Sequence, residues 1–521
     1  TQIDPHFGTN AELQAVIDGA HQRGIKVFFD IIANHTADII QYQENQYSYR
    51  DKATFPYKDA NGNTFDDRDY VNKPFPTLNV TGSFPYTPIF TKPEDATSKA
   101  PAWLNNPIYY HNRGNSTFSG ENSLYGDFFG LDDLFTEQPD VVNGMIDIYK
   151  GWITNFNIDG FRIDTVKHVN VEFWQKFAPA ILDHAKAQGK PNFFIFGEVY
   201  SANPQFLSFY TASGANLPAV LDFQFQQQAR SYVSQGGAAD SLKTLFDNDD
   251  YFTDADSNAS SLVTFLGNHD MGRFGYFLNL DNNSSLPDAA MLARDKLAHG
   301  LLYFARGVPV VYYGDEQGFT GDGGDKDARQ DMMPSQVASY NDDKLIGTTA
   351  TTAQDNFDTS QPLYQSFTNY ATIRAAHQAL RTGAQIDRVS SNTPGIYAFS
   401  RIDRNEKIEY VVAFNNGATA TANVPTFYAA GQTFDLVYAE GGSGTASLTT
   451  DANGALPVNV PAEGFVIYKA TSAIPASAAA PAISFPDLTD GKQVTLGTQT
   501  LDGNTVPDRL EIKTSVTGNQ Y

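Results

Sequence analysis

Asp159-Gly160-Phe161-Arg162-Ile163-Asp164-Thr165-Val166-Lys167-His168 is the stretch whose reading decides the fold. Phe161 and Ile163 alternate with Arg162 and Asp164, the two-residue period of a strand whose faces meet different surroundings. Arg162 and Asp164 therefore share one face, where a guanidinium keeps a neighbouring carboxylate ionised near neutral pH. An ionised carboxylate at a strand end can serve as a nucleophile. Alone, the pair reads more simply as a structural ion pair; three other stretches change that reading.

Moving outward, Thr9-Asn10-Ala11-Glu12 reads as a capping box opening a helix that Gly24 ends. Ile25 to Ala33 is a nearly continuous apolar strand, as in a parallel sheet covered by helices, and runs into Asn34-His35-Thr36. Phe193 to Phe196 is a strand ending at Gly197-Glu198, and Leu262 to Leu266 one ending at Gly267-Asn268-His269-Asp270. Val308 to Tyr312 is a further strand. Helical periodicity marks 142–156, 173–181, a segment near 224–246, 297–304 and 363–373. Strands alternating with helices, with polar residues at the strands' C-terminal ends, predict an α/β fold of the (β/α)8 TIM-barrel type, its site at those ends.

The texture breaks twice. Residues 37–130 are dense in Tyr, Asn, Gly, Pro and Asp, too long for a βα connection, and read as an irregular inserted domain. From 383 to 470, short strands between Gly/Asn/Asp turns predict a C-terminal antiparallel β-sandwich domain. The barrel thus occupies 1–36 and 131–382. Residues 471–481 read as a linker, and 482–521 as the start of a further β module.

Composition narrows the function classes. With 35 Lys+Arg against 59 Asp+Glu, the 521-residue chain carries a net charge of −24, which argues against nucleic acid or an anionic membrane as partner. Cysteine is absent, which rules out disulfides and thiolate metal sites. The 27 Tyr and 38 Phe supply a core and would also suit stacking on sugars.

In a barrel the four strand ends converge, bringing together Asp30, Asn34, His35, Arg162, Asp164, Glu198, His269 and Asp270. Paired working carboxylates suit glycosidic bond cleavage. Asp164 would attack the anomeric carbon. Glu198, kept protonated by partial desolvation and nearby negative charge, would protonate the leaving oxygen.

The ordered set DIIANH (30–35), GFRIDTVKH (160–168), FGEV (196–199) and FLGNHD (265–270) resembles the four signature regions of the α-amylase superfamily of glycoside hydrolases. Pro309 to Glu316 resembles that family's last barrel strand and turn. The resemblance implies Asp164 as nucleophile, Glu198 as acid/base and Asp270 as transition-state stabiliser. It implies substrate-binding roles for His35, Arg162, Lys167, His168 and His269, and leaves Asp30 structural. It also implies a structural Ca2+ held by Asn34, Asp133 and the carbonyl of His168, oxygen donors of the kind a hard cation takes. Asp327 and Arg329, in the loop after the last strand, are candidates for sugars further along the cleft. The turns Asp59-x-Asn61-x-Asn63 and Asp254-x-Asp256-x-Asn258 lack the late glutamate of a calcium loop and read as plain turns.

The same resemblance places Ile25–Ala33 third among the barrel strands, so the first two are expected outside this sequence. The activity it implies is retaining, endo-type hydrolysis of α-1,4-glucosidic bonds in starch or maltodextrins by a secreted, extracellular enzyme. The alternatives are an α-glucan transglycosylase of the cyclodextrin glucanotransferase kind, a pullulan or cyclodextrin hydrolase, and a non-catalytic carbohydrate-binding homologue.

Overall fold

The computed structural model describes residues 2–254 and 257–476, with four short strand segments beyond them: Ala482–Ile483, Thr498–Leu501, Asn504–Pro507 and Val516–Thr517. The expected module at 482–521 lies mostly outside the described residues, as does Asp256. The chain divides into two compact units, the first built mainly of Thr1–Leu221 and the second mainly of Asp222–Thr253 and Asn258–Lys492.

In the first unit, four parallel strands pair in sequence order: β1 (Phe28–Ile32), β2 (Gly160–Asp164), β3 (Phe194–Gly197) and β4 (Ala219–Val220). The alternation of β2 holds. Phe161 and Ile163 are fully buried, while Arg162 and Asp164 on the other face are not. Phe161 meets the ring of Tyr149 at 5.5 Å, and Tyr149 lies on the helix Pro139–Phe156 that covers this face. The next helix, Val171–Ala187, carries Pro179 inside it and buries Phe173, Trp174, Phe177 and Ile181. Gly160 starts β2 because nothing larger fits: a Cβ there would lie 1.8 Å from the Phe28 ring and 2.4 Å from the Phe194 carbonyl oxygen.

Between β1 and β2 the chain leaves the sheet. An antiparallel bridge of His35–Thr36 with Asp132–Asp133 joins the two ends of this excursion. Inside it are two-stranded ladders, Gln41–Tyr42 with Pro88–Ile89 and Tyr57–Lys58 with Thr64–Phe65, and several 3-10 turns. Its core is aromatic: Tyr42 stacks on Tyr86 at 4.6 Å, and Tyr57 packs on Phe135 at 4.8 Å. Trp103 packs over Gly144 of the helix Pro139–Phe156, and Tyr110 is buried, so both serve packing here.

In the second unit, β5 (Val263–Thr264) pairs in parallel with β6 (Val308–Pro309). The helix expected near 224–246 is two helices, Phe223–Ala229 and Asp240–Asp247. A wider turn, Arg230–Ser234, and Gly236 at φ +65° separate them, because glycine there lets the chain reverse. The C-terminal strands are β7 (Ala384–Val389), β8 (Ile396–Ile402), β9 (Glu409–Asn415), β10 (Ala420–Pro425), β11 (Thr433–Glu440), β12 (Ser447–Thr449), β13 (Ala455–Val460) and β14 (Gly464–Ala470). Six of them form one sheet in the order β7-β8-β9-β14-β11-β12, and β10 pairs with β13.

One face of that sheet packs on Val424, Leu456, Val458 and Val460, the core of a sandwich. The other face, with Tyr397, Phe399, Phe414 and Phe465, joins a single apolar core with the helices Asp288–Phe304 and Pro362–Ala376. That shared core is why packing does not break at residue 383.

Candidate active site

Register builds the first unit's part of the site. Asp30 of β1 lies opposite Arg162 of β2, and Ile163 lies opposite Gly197 of β3, so Glu198 falls just beyond the neighbouring strand end. The Glu198 N–H donates to the Ile163 carbonyl at 2.7 Å, carrying the ladder one step further. Arg162 then reaches three carboxylates: Asp164 at 2.6 Å, Asp30 at 2.8 Å and Glu198 at 3.2 Å. Burial works against the guanidinium's charge, but Glu198, Asp30 and Asp164 outweigh it and raise its pKa. The local R-x-D pair is therefore one edge of a four-residue cluster, and Asp30, read as structural, is one of its members.

The turn after Asp164 is strained. Thr165 sits at φ +51°, a conformation costly for a β-branched residue. That geometry points its N–H at Glu198 Oε2 (3.2 Å), and the next N–H, of Val166, donates to the Glu198 carbonyl at 3.0 Å. Strain at one residue thus helps fix a carboxylate 33 positions away.

His35 stacks on Phe128 with ring centres 5.1 Å apart and planes 12° from parallel. Burial lowers its pKa, opposed by Asp164, so its ring favours the neutral form. His168 is buried, packs edge-on to Phe128 at 5.3 Å and meets the Ser123 carbonyl through Nδ1 at 2.9 Å. Lys167 donates to the Tyr200 carbonyl at 3.1 Å. Phe118, Phe128 and Phe129 form a ring cluster beside these histidines, and Phe129 is 79% exposed. Sequence reasoning missed these phenylalanines and Tyr200; the only signal was the Phe128-Phe129 pair set before Gly130 in an otherwise polar stretch.

The residues expected to hold calcium adjoin one another in part. Asn34 is buried, its carbonyl accepting the Leu134 N–H at 2.8 Å, and Asp133 pairs across the bridge with His35. Burial pushes the Asp133 carboxyl up to about 8, opposed by His111, whose Nδ1 lies 2.6 Å away. His111 also meets Glu137 at 2.9 Å. A buried carboxylate and amide side by side, short of full compensation, is a donor set that suits a hard cation.

In the second unit, Asn268 shapes the turn after β5: its Oδ1 accepts the N–H groups of Asp270 (3.0 Å) and Met271 (2.8 Å). His269 Nε2 lies 3.3 Å from Asp270 Oδ2. Arg329 bridges Asp325 at 2.6 Å and Asp270 at 3.5 Å, and the Asp325 N–H donates to the Asp270 carbonyl at 2.9 Å. Asp327, expected to act with Arg329, closes the loop through its carbonyl, which accepts from Asp322 N–H and Gln330 Nε2. The turn at Asp59 is satisfied internally, with Oδ1 accepting the Asn61 and Asn63 N–H groups.

Residues 1–386 match the family model of the α-amylase catalytic domain. The chain belongs to the α-amylase family. An α-amylase from Streptomyces lividans is 49% identical over 488 residues, 93% of this chain and 52% of that protein. A cyclomaltodextrin glucanotransferase from Bacillus licheniformis is 30% identical over 434 residues, 81% of this chain and 47% of that protein. The chain spans about half the length of the curated relatives it matches. Among solved structures, an Anoxybacillus α-amylase aligns at TM-score 0.63 and 23% identity, over 91% of this chain and 82% of that one. The fold is thus that of α-amylase-family enzymes, a (β/α) catalytic part with a C-terminal β domain.

Proposed function

We propose that the protein hydrolyses α-1,4-glucosidic bonds in starch or maltodextrins with retention of configuration. The observation that carries this reading is the clamp in which Asp164 and Glu198, at adjacent strand ends, share the guanidinium of Arg162. Asp164 attacks the anomeric carbon while the glycosidic C–O bond breaks and Glu198 gives its proton to the leaving oxygen. Glu198, now a carboxylate, takes a proton from water; the hydroxide oxygen bonds to the anomeric carbon and Asp164 departs. Arg162 fixes Asp164 in place for the first step and charge-balances Glu198 in the second. Asp270 takes the role of stabilising the oxocarbenium-like transition state, with His35, His269, Lys167, His168, Asp327 and Arg329 binding sugar.

Asn34, Asp133 and the carbonyl of His168 would hold Ca2+, which supplies a structural cross-link and no chemical step. The relatives' names support an α-glucan as partner, and an extracellular, secreted setting rests on the family resemblance alone. Among the described residues, no helix is long and apolar enough to cross a membrane.

A second reading, transglycosylation, is favoured by the similarity to cyclomaltodextrin glucanotransferases. The experiment is to incubate the intact protein separately with starch, pullulan and cyclodextrin and analyse the products, with Asp164→Asn alongside. Linear maltodextrins from wild type, and at least about 10⁴-fold less from the variant, are expected. Equal activity of the two would remove the nucleophile, and cyclic products would favour transfer.

A further inference from the structure

The loop after β6 carries Asp327 and Arg329, and it also contributes to an acidic cluster that hydrolysis does not use. One carboxylate oxygen from each of Asp322, Asp342 and Asp343 lies within 4.8 Å of the other two. Two oxygens on one ion can be no farther apart than twice the bond length, about 4.6–5.2 Å for Ca2+. The three oxygens meet that limit.

Two further features point to a ligand. Asp343 is only 7% exposed, yet its Oδ2 has no hydrogen-bond partner among the described residues. Beside it, Thr352 donates its backbone N–H to the Asp343 carbonyl at 3.0 Å, and its Oγ1 is also buried without a partner. Buried oxygens left unsatisfied are costly, and these are acceptors of the kind a hard cation takes.

Lys344 pairs with Asp288 at 2.7 Å, and buried Arg273 donates through Nε and Nη1 to Gln330, the Tyr313 carbonyl and Asp315, its Nη2 being without a hydrogen-bond partner among the described residues. The charge of Arg273 lowers the Asp343 pKa, but burial together with Asp322 and Asp342 outweighs it and pushes that carboxyl up to about 7. Asp322 and Asp342 are exposed, which leaves room for water to complete a coordination shell.

We propose that Asp322, Asp342 and Asp343 bind a Ca2+ ion that ties the 321–329 loop to the 342–352 segment. This site is distinct from that at Asn34 and Asp133, which lies in the other compact unit. Its ion would act on the active site through the loop. The Asp322 N–H donates to the Asp327 carbonyl at 3.1 Å, and three residues on from Asp322 the Asp325 N–H holds the Asp270 carbonyl at 2.9 Å. Gly324 fits against Asp270 only because it lacks a side chain, since a Cβ there would lie 2.5 Å from the Asp270 carbonyl oxygen. The three acids are thus positioning residues for Asp270 and Arg329.

The test strips the full chain with chelator and titrates it with CaCl2 by calorimetry, comparing wild type with Asp322→Asn/Asp342→Asn. Both substitutions are at exposed side chains, so the fold is retained; if circular dichroism nevertheless changes, Asp342→Asn alone gives the same readout. The double variant is expected to bind one fewer equivalent of Ca2+ at concentrations that saturate wild type. The single variant is expected to bind that equivalent at least about tenfold more weakly. Both proteins retain Asn34 and Asp133, so a failure of that other site lowers both counts equally and leaves the difference readable. Equal stoichiometry and affinity in wild type and variants would overturn the proposal, and so would MgCl2 occupying the site as tightly as CaCl2.

Discussion

Replacing Arg162 by methionine removes one side chain and three carboxylate contacts at once. Arg162 lies 2.6 Å from Asp164, 2.8 Å from Asp30 and 3.2 Å from Glu198, and the Asp164 and Glu198 side chains are only 20% and 9% exposed. Removing that cation leaves three carboxylates facing one another with no shared partner. Losing the clamp lets Asp164 and Glu198 move, and a misplacement of about 1 Å costs on the order of 10²-fold in rate, so kcat should fall by about that much. Arg162→Lys sharpens the test. Its ammonium restores a charge but not the fork that reaches several acids at once, so kcat should stay low. The assay is initial rate on a soluble maltodextrin for the intact protein and both variants. Arg162→Met within about threefold of wild type would refute the clamp as the basis of the site.

Asp159 opens the same stretch and supplies a pH prediction. Burial opposes its charge, but the Val27 N–H, His21 and Lys190 outweigh that and hold its carboxyl at about 2. A folded value below the unfolded one stabilises above about pH 4 and fades as pH falls toward 2. Wild type should exceed Asp159→Asn by about 1–2 kcal/mol in urea melts at pH 6, a gap that shrinks to about a third at pH 2.5; a constant gap would deny the linkage. Chelation should lower the melting temperature of the Asp322→Asn/Asp342→Asn protein by several degrees, and adding Asp133→Asn should abolish that response; a response that survives would remove calcium from Asn34 and Asp133.

Much of this was legible in sequence because it is local. The capping box at Thr9 forms with both its hydrogen bonds, and the two faces of β2 divide as the alternation of Phe161, Arg162, Ile163 and Asp164 requires. The five expected parallel strands are present, because each is an apolar run bounded by turn residues. What stayed hidden depends on register or on backbone conformation. That Arg162 reaches Asp30 follows from which residue of β1 lies opposite it, a pairing 132 positions apart. Thr165 gives no hint of its positive φ, since a β-branched residue is a poor choice for it and only the surrounding structure enforces it. In β10 and β13, Pro425 and Pro457 weaken the strand signal, which edge pairing tolerates.

The shortage of cations orders these sites. With 35 Lys+Arg for 59 Asp+Glu, few acids can have a basic side chain to themselves. Buried Asp132 has one in Lys99 at 2.6 Å, whereas Lys52 is shared by Asp66 and Asp67, and Arg306 by Asp222 and Asp249. Where three acids share a single arginine, as around Arg162, one protonation state is no longer dictated by a private partner, and proton transfer becomes affordable. Asp133 is held by His111; burial opposes that ring's charge, but Asp133 and Glu137 push its pKa up to about 9. Asp322, Asp342 and Asp343 enter no ion pair among the described residues. A cation that the sequence does not encode is stabilising most where carboxylates meet without an ion pair, as these three do.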